Sequence, residues 1–230
     1  DFHSKETFSS LVEDIANLNG NFRVRLSSIN PMEIDDHLIE LIAHHEKICP
    51  HLHIPLQSGD TEVLSKMRRN YDAKQYEHIV RRASEKISPL GLGADVIVGF
   101  PGESEASFEH TRKLIEELPF SYLHVFSYSP RSGTEAHNFR NNIKNITKKE
   151  RNLILSDLVK EKAQLFYKSF VGKKVTVLIE ERKQADGVLK GHSEHYIPVR
   201  VDAEGFLQNQ LVSVLITEIR KNELVGCLES

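Results

Sequence analysis

Strand-like and helix-like segments alternate along the first part of the chain, and this order constrains the fold more than any other feature. Four segments have the period-two alternation or the apolar run expected of strands, at 22–28, 51–57, 93–100 and 123–129. Each is followed by a segment whose apolar residues have helical spacing. Consecutive strand–helix units build a parallel sheet with right-handed crossovers. The sequence therefore predicts an α/β domain of about four βα units.

The pattern changes after this region. Residues 130–146 are predicted as a loop, and Thr147–Glu150 has the pattern of a capping box before a long amphipathic helix that ends near Gly172. Short strands are then predicted on either side of an Asp186-Gly187 turn, at 174–181, 188–192, 196–202, 211–219 and 224–228. Five short strands are typical of a small β-barrel. We expect two domains, 1–170 and 171–230.

Composition excludes several classes of protein. The net charge of −3 over 230 residues gives no overall nucleic-acid signal, and no apolar run approaches the roughly 20 residues of a membrane span. Cys49 and Cys227 are far apart and form no thiolate cluster. We expect a cytoplasmic protein with no membrane partner and no disulfide framework. Because the chain begins without methionine, we also expect a fragment.

The predicted strands carry polar residues on one face, which is unusual because both faces of a parallel sheet are normally covered. If the sheet curves into a barrel, these faces line its lumen and favour a ligand; alternatively, Arg23 and Arg25 satisfy Asp95. His51 and His53 share a face, but no third ligand is evident, so no metal site is predicted. The four polar faces are Arg23, Arg25 and Ser27; His51, His53, Pro55 and Gln57; Asp95, Ile97 and Gly99; and His124, Phe126 and Tyr128.

The stretch Asp95–Glu103 joins a predicted strand to a predicted helix through Gly99-Phe-Pro-Gly-Glu103. Glycine lets a backbone approach a ligand closely, and ligands of parallel α/β folds bind where strands end. An ordinary βα turn would need the same residues. The loop by itself leaves both interpretations open.

Four ordered motifs resemble those of the methylthiotransferases of the radical S-adenosylmethionine (radical SAM) superfamily: His53–Asp60, Leu64–Tyr71, Asp95–Glu103 and Phe126–Thr134. Their order and spacing match over roughly residues 20–170, and residues 173–230 resemble the closing TRAM domain. The resemblance implies a partial radical SAM (TIM-like) parallel barrel followed by a TRAM-like β-barrel. Three stretches are most similar to the branch that modifies N6-threonylcarbamoyladenosine (t6A) in tRNA: Arg25–Pro31, Lys47–Pro50 and Leu118–Phe126.

The resemblance also implies a chemistry. In this family a 4Fe–4S cluster held by three cysteines cleaves S-adenosylmethionine, and the resulting radical activates C2 of the adenine in the tRNA. A second cluster takes part in sulfur insertion. Another S-adenosylmethionine supplies the methyl group. The cofactors carry this chemistry. This chain lacks the CxxxCxxC loop and the amino-terminal domain. The chain resembles the carboxy-terminal part of such an enzyme. We expect it to contain no catalytic residue, to be inactive by itself and to need the missing amino-terminal part as a partner.

The resemblance assigns site residues to matching positions. S-adenosylmethionine is expected at Gln57, Ser58, Gly59, Arg69, Gly99, Phe100, Pro101 and Gly102. Arginine can clamp a carboxylate through two hydrogen bonds. Ser58 and Asp60 would equally serve as a helix cap.

RNA contacts are expected in three places. Tyr128 and Arg131 follow the last strand, where they suit a flipped base and its phosphates, or form a structural tyrosine and a surface arginine. Residues 140–174 hold ten Lys/Arg against three Asp/Glu, a local charge of +7, which points to Lys148, Lys149 and Arg151. In the small barrel the candidates are His192, Tyr196 and Arg200, unless they form a solvated strand face.

Three functions stay open at this point. The first is part of a tRNA methylthiotransferase. The second is a noncatalytic RNA-binding module, and the third is an unrelated α/β enzyme that binds phosphate with its Gly99–Glu103 loop.

Overall fold

The computed structural model describes residues 7–140, 143–181, 188–202 and 208–229. An α/β part comes first and a small barrel follows. The α/β part contains α1 (Phe8–Ala16), α2 (Asp36–His44), β1 (His51–His53), α3 (Thr61–Lys66), α4 (Ala73–Lys86), β2 (Gly91–Val98), α5 (Glu105–Glu117), β3 (Tyr122–Ser127) and α6 (Asn145–Lys168). The barrel contains β4 (Lys174–Glu181), β5 (Val188–Ser193), β6 (Pro198–Asp202), β7 (Leu211–Arg220) and β8 (Glu223–Leu228).

The α/β part contains a parallel sheet in the order β1-β2-β3. His53 is level with Gly93, and Asp95 is level with His124. Helices cover the apolar side of the sheet, where Leu52, Leu92 and Val96 are fully buried. This arrangement confirms the predicted mixed α/β class with a parallel sheet.

The segment 22–28 is extended but is not a fourth strand within the described residues. It forms one isolated parallel bridge, between Val24 and Ile48, and Ser28 then adopts a left-handed conformation with φ of 58°. This conformation interrupts an extended run. The third predicted strand is also displaced, since it occupies Gly91–Val98 and ends where Gly99 turns to a φ of 74°.

Helix caps explain where most helices begin. Asp72 and Gln75 form the predicted capping box of α4, and the Asp60 carboxylate accepts a hydrogen bond from the Val63 N–H at the start of α3. The predicted capping box at Thr147 is not formed. Instead α6 begins at Asn145, and its N-cap residue Lys144 makes no side-chain hydrogen bond.

The second part is a closed barrel in the order β4-β5-β6-β8-β7. Its five strands follow the predicted positions closely, and alternate residues such as Val177, Ile179 and Val199 fill its core. The Asp186-Gly187 turn lies outside the described residues. Across the described ranges, no helix is long and apolar enough to cross a membrane.

Helix α6 joins the two parts, because Leu155 and Val159 pack in the first hydrophobic core while Tyr167 packs in the second. A second connection lies at the amino ends of the strands. There a Cβ on Gly91 would overlap the carbonyl of His195, so only glycine permits this approach. The division near residue 170 remains a prediction, since α6 serves both cores.

Candidate binding site at the carboxyl ends of the strands

Two adjoining cavities lie where the parallel strands end, with volumes of about 470 and 300 Å³. They share four lining residues, namely Gln57, Ile97, Thr134 and Ala136. The larger cavity is also lined by Asp95, Phe126, Tyr128 and Arg131, and the smaller by Lys66, Arg68, Arg69 and Phe100. This edge of a parallel sheet is where α/β folds bind their ligands.

Gln57 is held at the centre of this edge in a strained conformation. Its φ is 62°, its N–H donates to the Asp95 carbonyl at 2.8 Å, and its own carbonyl accepts from the Ile97 N–H at 2.9 Å. Left-handed non-glycine residues cost free energy and concentrate at functional sites. The residue is mostly buried and lines both cavities, as expected of a ligand-binding side chain.

Ser58 and Gly59 follow Gln57 but are buried against α5. The Gly59 N–H donates to Thr111 Oγ1 at 2.9 Å, and Ser58 Oγ accepts from the Asp60 N–H at 3.2 Å. Neither residue lines the two cavities. These contacts support the interpretation of Ser58 and Asp60 as part of the helix start.

Side chains of α6 hold the loop after β2 in place. The Gly99 N–H donates to Glu103 Oε2 at 2.7 Å, and the Arg151 guanidinium donates to the same oxygen at 2.5 Å. Burial raises the pKa of Glu103, while these two donors act in the opposite direction. Lys148 lies beneath Gly99 and donates to the Tyr128 carbonyl at 2.9 Å.

The other residues of the loop after β2 line two different cavities. The Phe100 ring packs edge-on against Tyr128, with 5.2 Å between centroids, and lines the smaller cavity. Pro101 and Gly102 line a separate cavity of about 370 Å³. The loop thus presents Phe100, rather than its glycines, to the carboxyl-end site.

Two exposed arginines border the site from opposite sides. Arg69 follows α3 and lines the smaller cavity, and Arg131 follows β3 and lines the larger one. Within the described residues neither guanidinium forms an ion pair, whereas the neighbouring Arg68 pairs with Glu135. Both arginines are therefore available for an anionic ligand.

The predicted basic contacts on α6 differ sharply in exposure. Lys149 is exposed, but Lys148 and Arg151 are only 7% and 5% exposed. Lys148 donates to the Tyr128 carbonyl after β3, and Arg151 donates to Glu103 in the loop after β2. Arg151 also pairs with Glu105 at 2.9 Å. Buried and paired cations support the loop rather than offering charge to a polyanion.

Two of the three predicted barrel residues, His192 and Tyr196, lie near the junction of the two parts. Tyr196, at a φ of 61°, is stacked by His192 with 4.7 Å between centroids, and the Arg25 guanidinium lies 4.0 Å from its ring centroid. His192 also contacts Glu180 at 2.6 Å, and Arg200 lies 3.7 Å from Glu223. The Arg25–Tyr196 contact replaces the suggested pairing of Arg25 with Asp95.

A cluster that the sequence did not identify lies on the polar face of the sheet. His53 Nε2 is 3.3 Å from Asp95 Oδ1, and His124 completes a group whose ligand atoms lie within 4.8 Å of one another. Strand alternation gave the correct face for each residue. The interstrand register, which only the fold supplies, brings them together.

The chain is similar to proteins of one known superfamily. The family model described as the radical SAM superfamily matches residues 5–115. A tRNA-2-methylthio-N(6)-dimethylallyladenosine synthase of Geobacillus kaustophilus is 39% identical over 205 residues, which are 89% of this chain and 39% of the relative. A threonylcarbamoyladenosine tRNA methylthiotransferase MtaB of Rickettsia prowazekii is 37% identical over 230 residues, all of this chain and 51% of the relative.

The fold has a counterpart among solved structures. Coproporphyrinogen III oxidase (HemN) from Escherichia coli, described as a radical SAM enzyme, superposes with a TM-score of 0.55 at 15% identity, over 80% of this chain and 49% of that one. At this identity the likeness concerns the fold alone.

These findings confirm the resemblance that the motifs predicted. The chain is similar to the radical SAM superfamily and, within it, to curated tRNA methylthiotransferases. The chain spans about half or less of the length of these curated relatives.

Proposed function

We propose that this chain is part of a tRNA-modifying enzyme that inserts a methylthio group at C2 of a hypermodified adenosine by radical SAM chemistry. The observation that carries the proposal is the carboxyl-end site, which places Gln57, Arg69 and Phe100 around one cavity in a chain related to tRNA methylthiotransferases. As an enzyme acting on tRNA, it would work in the cytoplasm.

The residues of this site fit S-adenosylmethionine. Phe100 and Ile97 offer an apolar surface to an adenine, the Gln57 amide can bond polar atoms of the ligand, and the Arg69 guanidinium suits a carboxylate. When bound, S-adenosylmethionine would supply the methyl group and the radical precursor. The chain's own part is to bind and orient it, with Gly99 and Glu103 holding the loop in place.

The iron–sulfur clusters do not fit the residues of this chain. The sequence holds two cysteines, of which Cys49 is buried in the α/β part and Cys227 is exposed on β8. Three thiolates cannot be assembled from them. The proposed activity therefore requires cluster ligands from outside these 230 residues, and no step through a cluster is assigned to this chain.

We propose that the tRNA approaches the mouth of the larger cavity. Tyr128 and Arg131 border it there, where an aromatic ring and a guanidinium suit a base and its phosphate. Lys149 offers the exposed charge on α6, His192 and Tyr196 would act from the junction, and Arg200 would act from β6 of the barrel. Lys148 and Arg151 act indirectly in this proposal, through the loop that they support.

The favoured substrate is t6A, because the motifs 25–31, 47–50 and 118–126 are most similar to that branch. Deleting the gene in its own organism should remove 2-methylthio-t6A from hydrolysed tRNA, as measured by mass spectrometry, and leave the 2-methylthio derivative of isopentenyladenosine unchanged. Loss of the isopentenyl derivative instead would overturn the branch. Unchanged levels of both would overturn the proposed activity.

A noncatalytic RNA-binding module is the second candidate, and the cysteine content of the chain favours it. It predicts that the deletion leaves both nucleosides unchanged while the purified chain still binds tRNA. The two candidates therefore differ in one measurement.

A further inference from the structure

We propose that His53, Asp95 and His124 form a binding site for a divalent first-row transition metal ion on the polar face of the parallel sheet. The proposal does not depend on the proposed function, because none of the three residues is assigned there to S-adenosylmethionine or RNA. It rests on register, distance, positioning contacts and ligand type.

The register of the strands gathers the three side chains on one face. Asp95 on β2 is level with His124 on β3, and His53 on β1 is level with Gly93, two residues before Asp95. Since strand side chains alternate between faces, residues two apart share a face. The cluster is therefore built by adjacent strands of a rigid sheet rather than by mobile loops.

The distances are close to those of a metal site. His53 Nε2 already lies 3.3 Å from Asp95 Oδ1, and all three ligand atoms lie within 4.8 Å of one another. Two ligands that each lie about 2.1 Å from one ion can be at most about 4.2 Å apart. At the tetrahedral angle they lie about 3.4 Å apart, so closure requires a movement of up to about 1.4 Å, which the exposed His124 ring can supply.

His53 is oriented by a second contact, as a metal ligand should be. Its Nδ1 lies 3.3 Å from Ser28 Oγ, so the ring is fixed with Nε2 directed at Asp95. Metal-bound histidines characteristically bond a second group through their other nitrogen.

His51 is not part of the cluster, although it shares a strand with His53. Its Nε2 lies 2.9 Å from the Tyr122 hydroxyl, and its ring stacks on Tyr122. His51 thus has a structural partner of its own. This contact explains why the third ligand comes from β3 and not from β1.

The ligand set indicates the kind of ion. Two imidazoles and one carboxylate bind Zn²⁺, Fe²⁺ or Mn²⁺ and leave coordination positions open. Asp95 also lines the larger cavity, so a bound ion would be accessible from the carboxyl-end site.

The test titrates the metal-free chain with Zn²⁺ in a calorimeter and with Co²⁺ in an absorption spectrometer. We expect one equivalent to bind, with the visible bands of nitrogen- and oxygen-ligated Co²⁺. His124→Ala and Asp95→Asn should each weaken binding at least tenfold, since even second-shell losses cost about 10–100-fold. His44→Ala is the control, because exposed His44 lies 3.3 Å from Glu40 and could bind metal adventitiously.

Thermal unfolding measured in the presence of a chelator shows whether a substitution weakens metal binding or destabilises the fold. Both variants should unfold at the temperature of the unmodified chain, and Zn²⁺ should raise that temperature for the unmodified chain alone. If His124→Ala does not fold, Asp95→Asn decides. The absence of saturable binding, equal affinity in the folded variants, or loss of binding in His44→Ala would each overturn the proposal.

Discussion

Gly99 has a packing role that its place in the sequence did not predict. Its place in the Gly99–Glu103 loop suggested close approach to a ligand. In the structure its φ is 74°, and a Cβ there would overlap the Lys148 side chain. The glycine therefore lets the loop pack on α6, and Phe100 faces the cavity instead. Sequence spacing could not reveal that neighbour.

We predict that Gly99→Val weakens S-adenosylmethionine binding at least tenfold, because the strained loop must move away from Lys148 and carry Phe100 with it. Calorimetric titration measures the affinity, and circular dichroism checks the fold. Gly172→Val is the matched control, since Gly172 has a similar φ of 79° but open space around it. Wild-type affinity in Gly99→Val would contradict the role of the loop.

Arg151 is the second residue whose role the structure changes. It is 5% exposed and bonded to buried Glu103, so Arg151→Ala would leave a carboxylate without its partner. Breaking a buried pair in this way costs about 3–5 kcal/mol of unfolding free energy. Urea titration should show that loss. Lys149→Ala removes the exposed neighbouring cation and should stay within about 0.5 kcal/mol; equal losses in both variants would count against the buried pair.

At the scale of elements, prediction succeeded where the controlling interactions are local. The Asp72–Gln75 capping box of α4 depends on residues three apart, and both of its hydrogen bonds are formed. The predicted capping box at Thr147 was wrong, since α6 begins at Asn145 and its N-cap residue Lys144 makes no side-chain hydrogen bond. The first turns of α6 instead make tertiary contacts, in which Lys148 donates to the Tyr128 carbonyl and Arg151 donates to Glu103.

The strands show the same contrast. The barrel strands were predicted nearly to their ends, because each alternates apolar core residues with polar ones. The segment 22–28 alternates equally well, yet Ser28 turns away after a single bridge. The cluster of His53, Asp95 and His124 needed the register between strands, which alternation within each strand does not contain.

Asp72→Ala tests the local cap directly. Loss of the N-cap hydrogen bond to the Gln75 N–H, at 2.8 Å, should lower the unfolding free energy by about 1 kcal/mol. Lys74→Ala alters an exposed residue of the same first turn and should have little effect. Urea unfolding of both variants makes the comparison, and an unchanged midpoint in Asp72→Ala would show that tertiary packing alone holds the helix start.

At the scale of the molecule, the two parts are joined more closely than two separately predicted domains suggest. Tyr167 and Phe170 extend α6 into the barrel core, and the carbonyl of His195 lies against Gly91. Tyr196 reaches the rings of His51 and Tyr122 on the sheet. The sequence indicated each domain from its own periodicity. The junction depends on contacts between them and has no periodic signal.

This junction contains two buried histidines that should make stability depend on pH. Burial lowers the pKa of His51 to about 3 and that of His195 to about 4. The pKa of histidine in an unfolded chain is about 6.5. Below that pH the unfolded chain therefore binds protons that the folded chain does not bind. The contribution of each neutral histidine to the free energy of unfolding is fully present above about pH 6.5. It is lost progressively as the pH falls toward 4 for His195 and toward 3 for His51.

His195→Phe isolates one of these contributions. His195 packs against Phe170 at 4.7 Å between ring centroids, and its buried Nδ1 has no hydrogen-bond partner among the residues that the structure describes. A phenyl ring therefore suits the site and cannot be protonated. Between pH 7.5 and 5.0 the unmodified chain should lose roughly 2 kcal/mol more unfolding free energy than the variant, as measured by urea titration. His44→Ala, at an exposed histidine, should keep the full loss. If His195→Phe kept it too, the acid sensitivity of the molecule would have to arise away from the junction.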